Sequence, residues 1–272
     1  MNLLERKSLL KSVFDESKQF IENNPILKES IIHSLYETKV YDYNSFDYDI
    51  NETDDTIVRV TNGRTLAVAH EYVNQYKKVA VLNFASATSP GGRVWDGSSA
   101  QEESLCRIST LYQVLSTSKV AKEGYYKYHK SNMRDYPFYT NNLVYTPDIF
   151  VFRPDVDIPE SFLPEDEWYS VDVITSAAPN LIHENIEPDK LEDLLIPRMA
   201  AIFKAAIAHN IEVLVLGAYG CGVFRNPPEI VANCFKTVIE RFEGYIPIVD
   251  FAIIDDRNGT GNYSTFKNIL LQ

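Results

Sequence analysis

Two stretches of the chain gather acidic, glycine and small polar residues in a way that suits holding a phosphate-bearing ligand. The first runs Asn83-Phe-Ala-Ser-Ala-Thr-Ser-Pro-Gly-Gly-Arg-Val-Trp-Asp-Gly-Ser-Ser-Ala-Gln-Glu-Glu103. In it Pro90-Gly91-Gly92 lets a ligand come close to the backbone, because no Cβ stands in the way. Gln101, Glu102 and Glu103 then open a helix, where the macrodipole favours carboxylates. Acidic residues belong in any first helical turn, with Ser98 and Ser99 as plain caps, so the carboxylates alone do not prove a site. The second stretch is Gly217-Ala-Tyr-Gly-Cys-Gly-Val-Phe-Arg-Asn226. Gly220 and Gly222 permit a tight turn whose N–H groups form a nest for a diphosphate, and Phe224 can pack on a ribose or base. A lone Gly-x-Gly is also an ordinary turn. Two such loops after two buried strands are more specific together than either is alone.

The elements that must position these loops alternate along the chain. Apolar runs at 79–84, 171–175, 213–217 and 248–254, with a further strand at 56–60, are separated by helical periodicity at 65–76, 100–115, 191–209 and 229–242. A short helix closes the chain at 266–271. Strands buried on both faces and separated by helices predict a three-layer α/β/α sandwich with a mostly parallel central sheet. Ligands bind such sheets beyond the carboxyl ends of the strands, at loops beginning at Asn83, Thr175, Gly217 and Asp255. Ahead of this lies an amphipathic helix from Leu3 to Ile21, ended by Pro25, and a second short helix over Ile31 to Tyr36. An Asp-, Asn- and Tyr-rich loop runs from Tyr41 to Asp55. The expected division is therefore an N-terminal helical accessory segment, 1–55, and a main domain, 56–272. Residues 125–157 form a tyrosine-rich insertion with a strand at 149–152. It serves either as packing over the sheet edge or as an aromatic platform beside the site.

Composition narrows the function classes. The 272 residues carry 26 basic and 38 acidic side chains, a net charge of −12, which argues against general nucleic-acid binding. No run approaches a membrane span, and the opening Met1 to Lys11 is charged and amphipathic rather than a secretory signal. Three cysteines and five histidines show no metal-ligand spacing, so no metal and no cofactor are expected, and the thiols suit a reducing cytoplasm. An anionic ligand must then be held locally, by N–H nests at Gly91-Gly92 and Gly220-Gly222 with help from Arg93 and Arg225. Asp255-Asp256 reads as a turn or cap and His183 as a surface residue.

Several motifs taken together resemble the microbial-type poly(ADP-ribose) glycohydrolases of the macro domain superfamily. They are Asn83-Phe-Ala-Ser-Ala, Pro90-Gly91-Gly92, Ala100-Gln-Glu-Glu-Ser-Leu-Cys-Arg107, Ser109-Thr-Leu-Tyr112, Ile174-Thr-Ser-Ala-Ala-Pro-Asn180, Leu214 to Asn226, and Phe251-Ala-Ile. The resemblance spans about residues 56–272 and implies a macro domain-like ADP-ribose-binding fold that cleaves the ribose–ribose O-glycosidic bond. It implies that Glu103 is the catalytic acid and base, that Glu102 orients the ribose, and that Gln101 supports the loop. Asn83 would lie near the ribose, and Gly91, Gly92 and Arg93 beside the diphosphate and distal ribose. Ala218 and the run Gly220, Cys221, Gly222, Val223 and Phe224 would wrap the diphosphate. The implied partner is ADP-ribose or poly(ADP-ribose), free or on a modified macromolecule. Two positions depart from the family pattern: Arg93 stands where a third glycine is usual, and Ser89 where an Asn precedes the proline. Two alternatives stay open: a mono-ADP-ribosyl hydrolase acting on protein, nucleic acid or small-molecule conjugates and, because of these departures, a non-catalytic ADP-ribose reader.

Overall fold

The computed structural model describes residues 1–42, 55–183, 186–254 and 261–272. Helices α1 (Leu3–Asn23) and α2 (Pro25–Glu37) lead into strand β1 (Lys39–Tyr41), and the next strand is β2 (Ile57–Thr61). Helix α3 (Thr65–His70), strand β3 (Val79–Phe84) and helices α4 (Gln101–Ile108) and α5 (Leu111–Thr117) follow. Helix α6 (Lys119–Ala121) passes through a π-helical turn at Lys122–Lys127 into α7 (Tyr128–Asn132). The remainder is β4 (Leu143–Val151), β5 (Tyr169–Ser176), α8 (Pro188–Ala208), β6 (Val213–Leu216), α9 (Pro228–Arg241), β7 (Ile248–Ala252) and α10 (Asn262–Leu270).

The seven strands form one sheet in the order β1-β4-β5-β3-β6-β7-β2. Neighbours from β5 through to β2 pair in parallel, while β4 runs antiparallel to both β1 and β5. Alternation within the strands builds two cores. Ala80, Leu82, Leu214 and Leu216 face one side, with α8, α9 and α10; Val79, Val81, Val213 and Val215 face the other, with α3, α4 and α5. The sandwich is thus the expected three-layer α/β/α fold with a mostly parallel sheet. Among the described residues no helix is long and apolar enough to cross a membrane.

Three elements differ from expectation, each for a local reason. The single helix expected over 100–115 is two, because Ser109 and Thr110 bond elsewhere. The Ser109 hydroxyl donates to Leu105 O (2.7 Å), and Thr110 exchanges bonds with Phe150 of β4 through its N–H (3.0 Å) and hydroxyl (3.1 Å). The helix expected to reach residue 76 stops at His70, since the turns beyond carry Tyr72 inward, where its hydroxyl donates to Asp250 (2.7 Å). Pro25 ends α1 but also opens α2 at its first turn, with the Asn24 side chain accepting from Leu27 N–H (3.0 Å). Strand β1, at the start of the expected loop 41–55, is too short to show a period. The Asp255-Asp256 pair and most of that loop lie outside the described residues.

Helix α1 packs on the loop that joins β3 to α4. Phe14 meets Tyr112 edge-on, with ring centroids 5.0 Å apart. The buried Arg107 of α4 donates to Leu10 O (3.0 Å) and to Ser98 O. Gly97, at φ +73°, lies so close to α1 that a Cβ there would sit 2.0 Å from Lys7 O.

Candidate active site

A cleft of about 850 Å³ opens over the carboxyl ends of β3, β6 and β7. Of the residues singled out from sequence, Gly92, Arg93, Gln101, Glu102, Glu103, Ala218, Gly220, Gly222, Val223 and Phe224 line it. Asn83, Gly91 and Cys221 do not. Asn83 is fully buried behind the wall, donating to Thr175 Oγ1 (3.2 Å) and Glu102 Oε1 (3.4 Å). Gly91 is packed under Tyr112, whose ring a Cβ would strike at 2.7 Å. Cys221 turns its Sγ back to Tyr219 O (3.7 Å), and burial pushes the thiol up to about 12.

Helix α4 starts at the cleft because Gln101 ties it to the end of β3. The Gln101 amide accepts from Phe84 N–H (2.9 Å) and donates to Leu82 O (2.7 Å) and Thr65 Oγ1 (3.1 Å). Both following glutamates are buried, and both reach Gly92: a Cβ there would lie 2.4 Å from Glu103 Oε1 and 3.1 Å from Glu102 Oε2. Neighbouring residues diverge by about 100° around a helix, yet here the side chains bring the two carboxyl groups back together. Their partners differ. Glu102 accepts from Ser86 N–H (2.7 Å), the Asn83 amide and Gly91 N–H. Glu103 accepts from Arg93 N–H (3.0 Å) through Oε1, while its buried Oε2 has no hydrogen-bond partner among the described residues.

This corrects the expected nest at Gly91-Gly92. Gly92 N–H goes to Ser89 O (3.0 Å), and those of Gly91 and Arg93 go to the two glutamates. The first loop therefore spends its N–H groups on fixing acids rather than on a ligand. In the second loop the N–H groups of Gly220, Gly222, Val223 and Phe224 take no acceptor from the described residues. Gly220, at φ +74°, sits against Ala178 and Asn226; the Asn226 amide donates to Pro179 O (2.8 Å) and Gly220 O (3.1 Å). Leu181 N–H reaches Phe224 O (3.0 Å), so the loop is pinned with its donors open. Such a cluster of open N–H groups suits an anion. Arg225, expected to help, lines a neighbouring hollow with His183 instead.

Burial, above all, and then the neighbouring charge of Glu103 raise the Glu102 carboxyl to about 8, against donors that pull it down. The ligand-free site thus holds a proton on Glu102 in neutral water. The linkage sign follows: between about 4.5, the ordinary value, and about 8 the native state keeps a proton that the unfolded chain has released, so stability falls as pH rises through that window and levels above it. Melting curves of the ligand-free protein should show Glu102→Gln losing less Tm than the parent between pH 5 and pH 8. Parallel curves would refute the shift.

Arg93 does not fill the cleft. Its φ of −118° needs no glycine, unlike Gly91 and Gly92 at +68° and +57°, and its guanidinium swings out to Asp96 Oδ2 (2.6 Å). Ser89 stands exposed on the rim.

Of the tyrosines in the insertion, expected to be either packing or an aromatic platform, Tyr139 alone lines the cleft; sequence reasoning missed Arg198. Tyr139, at φ +65°, lines the cleft with its ring 6.4 Å from Phe224. Arg198, fully buried on α8, donates to Ala177 O (2.9 Å), Phe138 O (3.0 Å) and Tyr139 O (3.2 Å), tying that turn to the end of β5. An arginine in the apolar stripe of a helix was the available signal for Arg198. The other tyrosines divide as packing, with Tyr125, Tyr126 and Tyr145 buried, while Tyr128 and Tyr136 are exposed away from the cleft.

The model of the microbial-type PARG catalytic domain matches residues 16–154. The chain is similar to the crystal structure of poly(ADP-ribose) glycohydrolase (PARG) from Thermomonospora curvata, at 30% identity and a TM-score of 0.83, over 95% of this chain and 98% of that one. The same enzyme bound to the inhibitor ADP-HPD aligns with a TM-score of 0.81, at 30% identity over the same shares of both chains. The enzyme from Deinococcus radiodurans in complex with ADP-ribose aligns at 30% identity and 0.75, over 89% of this chain and 96% of that one. No curated protein matches the sequence.

Proposed function

Because the chain belongs to the microbial-type PARG catalytic domain family, we propose that it hydrolyses poly(ADP-ribose), releasing ADP-ribose by cleaving the ribose–ribose O-glycosidic bond. The observation that carries the residue assignment is Glu103: one oxygen fixed by Arg93 N–H, the other buried at the cleft with no partner among the described residues. A glycosidic bond breaks through an oxocarbenium-like state that needs a proton on the leaving oxygen and a water at the anomeric carbon. With substrate bound, Glu103 first takes up a proton from solvent and then gives it to the bridging oxygen as the C–O bond breaks. The resulting carboxylate then takes a proton from the water that adds to the anomeric carbon, which restores the acid. Glu102, proton-bearing and held from behind by Ser86 and Asn83, orients the ribose hydroxyls. The open N–H groups of Gly220, Gly222, Val223 and Phe224 receive the diphosphate, and Phe224 and Tyr139 flank the bound unit.

The outward turn of Arg93 and the place of Ser89 on the rim speak against a non-catalytic reader, since neither stands between the cleft and the acid. Residues 56–272 are assigned as the macro domain-like catalytic domain, with 1–55 as its accessory segment, and three free cysteines suit the cytoplasm. The test is incubation with poly(ADP-ribose) and with mono-ADP-ribosylated protein, with calorimetric titration of ADP-ribose alongside. Release of ADP-ribose from polymer supports the proposal; tight binding with no release from any substrate overturns it.

Gly222 gives a finer check on the diphosphate loop. It needs no left-handed backbone, and a Cβ there meets nothing within 4 Å, so the space beside it is left for the ligand. Gly222→Ala should leave Tm unchanged and weaken ADP-ribose about tenfold, by crowding open donors that each contribute on the order of 1 kcal/mol. Unchanged affinity would move the diphosphate away from this loop.

A further inference from the structure

The cleft accounts for the unit that is released, but not for the one left behind. On the glycohydrolase reading, on which this inference rests, the proton of Glu103 goes to the bridging oxygen. The leaving nucleotide must therefore begin at Glu103 and run outward past the residues next to it. Arg93 is the first of these, since its own N–H holds Glu103 (3.0 Å). Its side chain is two-thirds exposed at the rim, with the guanidinium 5.8 Å from the centroid of the Trp95 ring. Trp95 is 55% exposed just beyond the cleft lining.

This turn is not loosely placed. Val94 is fully buried, and Val94, Asp96 and Gly97 N–H groups close successive turns on Gly91, Arg93 and Val94 carbonyls. Gly97 is wedged against the backbone of α1. The chain's other tryptophan, Trp168, has its indole N–H bonded to Leu163 O (3.0 Å) and its ring against Phe20. This turn thus presents an exposed indole with a guanidinium over its ring, beside the N–H that holds the acid. The Arg93–Asp96 pair is exposed and so contributes little, and the guanidinium has further N–H groups to offer.

The leaving unit has a purine face and a diphosphate, and those two groups match what the turn presents: aromatic faces stack on bases, and guanidinium binds phosphate. We propose that Trp95 and Arg93 form a subsite for the unit on the leaving side of the bond, its adenine on the indole and its diphosphate at the guanidinium.

The probe is a dimer of two ADP-ribose units joined by the scissile bond, compared with ADP-ribose itself. Binding is measured in the Glu103→Gln background, and turnover of the dimer in the parent. The dimer should bind about tenfold tighter than ADP-ribose, in line with the effect of one stacked base. Trp95→Ala should remove that advantage and raise the dimer KM with little change in kcat, while Trp95→Phe retains most of it. Arg93→Ala should weaken the dimer more than it weakens ADP-ribose. If the parent cleaves the dimer and Trp95→Ala keeps both the binding advantage and KM, the subsite is wrong and the functional reading stands. A parent that leaves the dimer intact overturns both.

Discussion

Glu103→Gln should reduce release of ADP-ribose from the polymer by a factor on the order of 10³ or more, the scale of a lost general acid and base, while ADP-ribose affinity stays near the parent's. The amide is the same shape as the carboxyl and still accepts from Arg93 N–H through its oxygen, so the loop keeps its conformation. What it lacks is a proton to give and a lone pair basic enough to take one back. Turnover and binding should therefore separate in one variant, measured by product release and by calorimetry. Parental release by Glu103→Gln would sink the assignment, and joint loss of release and binding would mean that Glu103 holds the ligand instead.

Gly92→Ala is the second large effect, and it touches neither acid chemically. At φ +57° an alanine costs about 1–2 kcal/mol for the left-handed backbone. Its Cβ would stand 2.4 Å from Glu103 Oε1, the far end of a side chain able to move away. The protein should remain folded, with Tm lowered by a few degrees, because relief is available; but what gives way is the carboxylate. A displacement of about 1 Å costs roughly a hundredfold in rate, so kcat should fall by about that factor. Normal kcat in a folded Gly92→Ala would show that the acid does not need this seat.

The contrast between Gly92 and Arg93 also shows what was readable in the sequence. The strands, their order of burial and the two loops announced themselves through apolar runs and glycines, because the features that bury a strand or bend a loop are local. Whether Arg93 obstructs the cleft is a matter of side-chain direction, which its φ and Asp96 three residues on decide. Where the N–H groups of Gly91 point depends on Glu102 folding back across space, which no local pattern records. The hidden supports are of the same kind. Tyr139 enters the cleft because Arg198, some sixty residues away, holds its carbonyl, and Asn83 stands behind Glu102 although it lies at a strand end that faces ligand in the linear picture.

The docking of α1 carries a consequence for when activity is acquired. Leu10 and Arg107 meet across 97 positions, and Phe14 reaches Tyr112, which in turn roofs Gly91. The sheet itself closes over longer spans, as β2 meets β7 and β3 meets β6, but none of its ladders includes α1, so the helix can open locally while the sheet stays paired. Such an opening takes Phe14 off Tyr112 and Leu10 off Arg107, and with them the backing of the turn that seats both acids. Competence and foldedness are then two separate thresholds in this molecule, and the docking of the first helix sets the higher one.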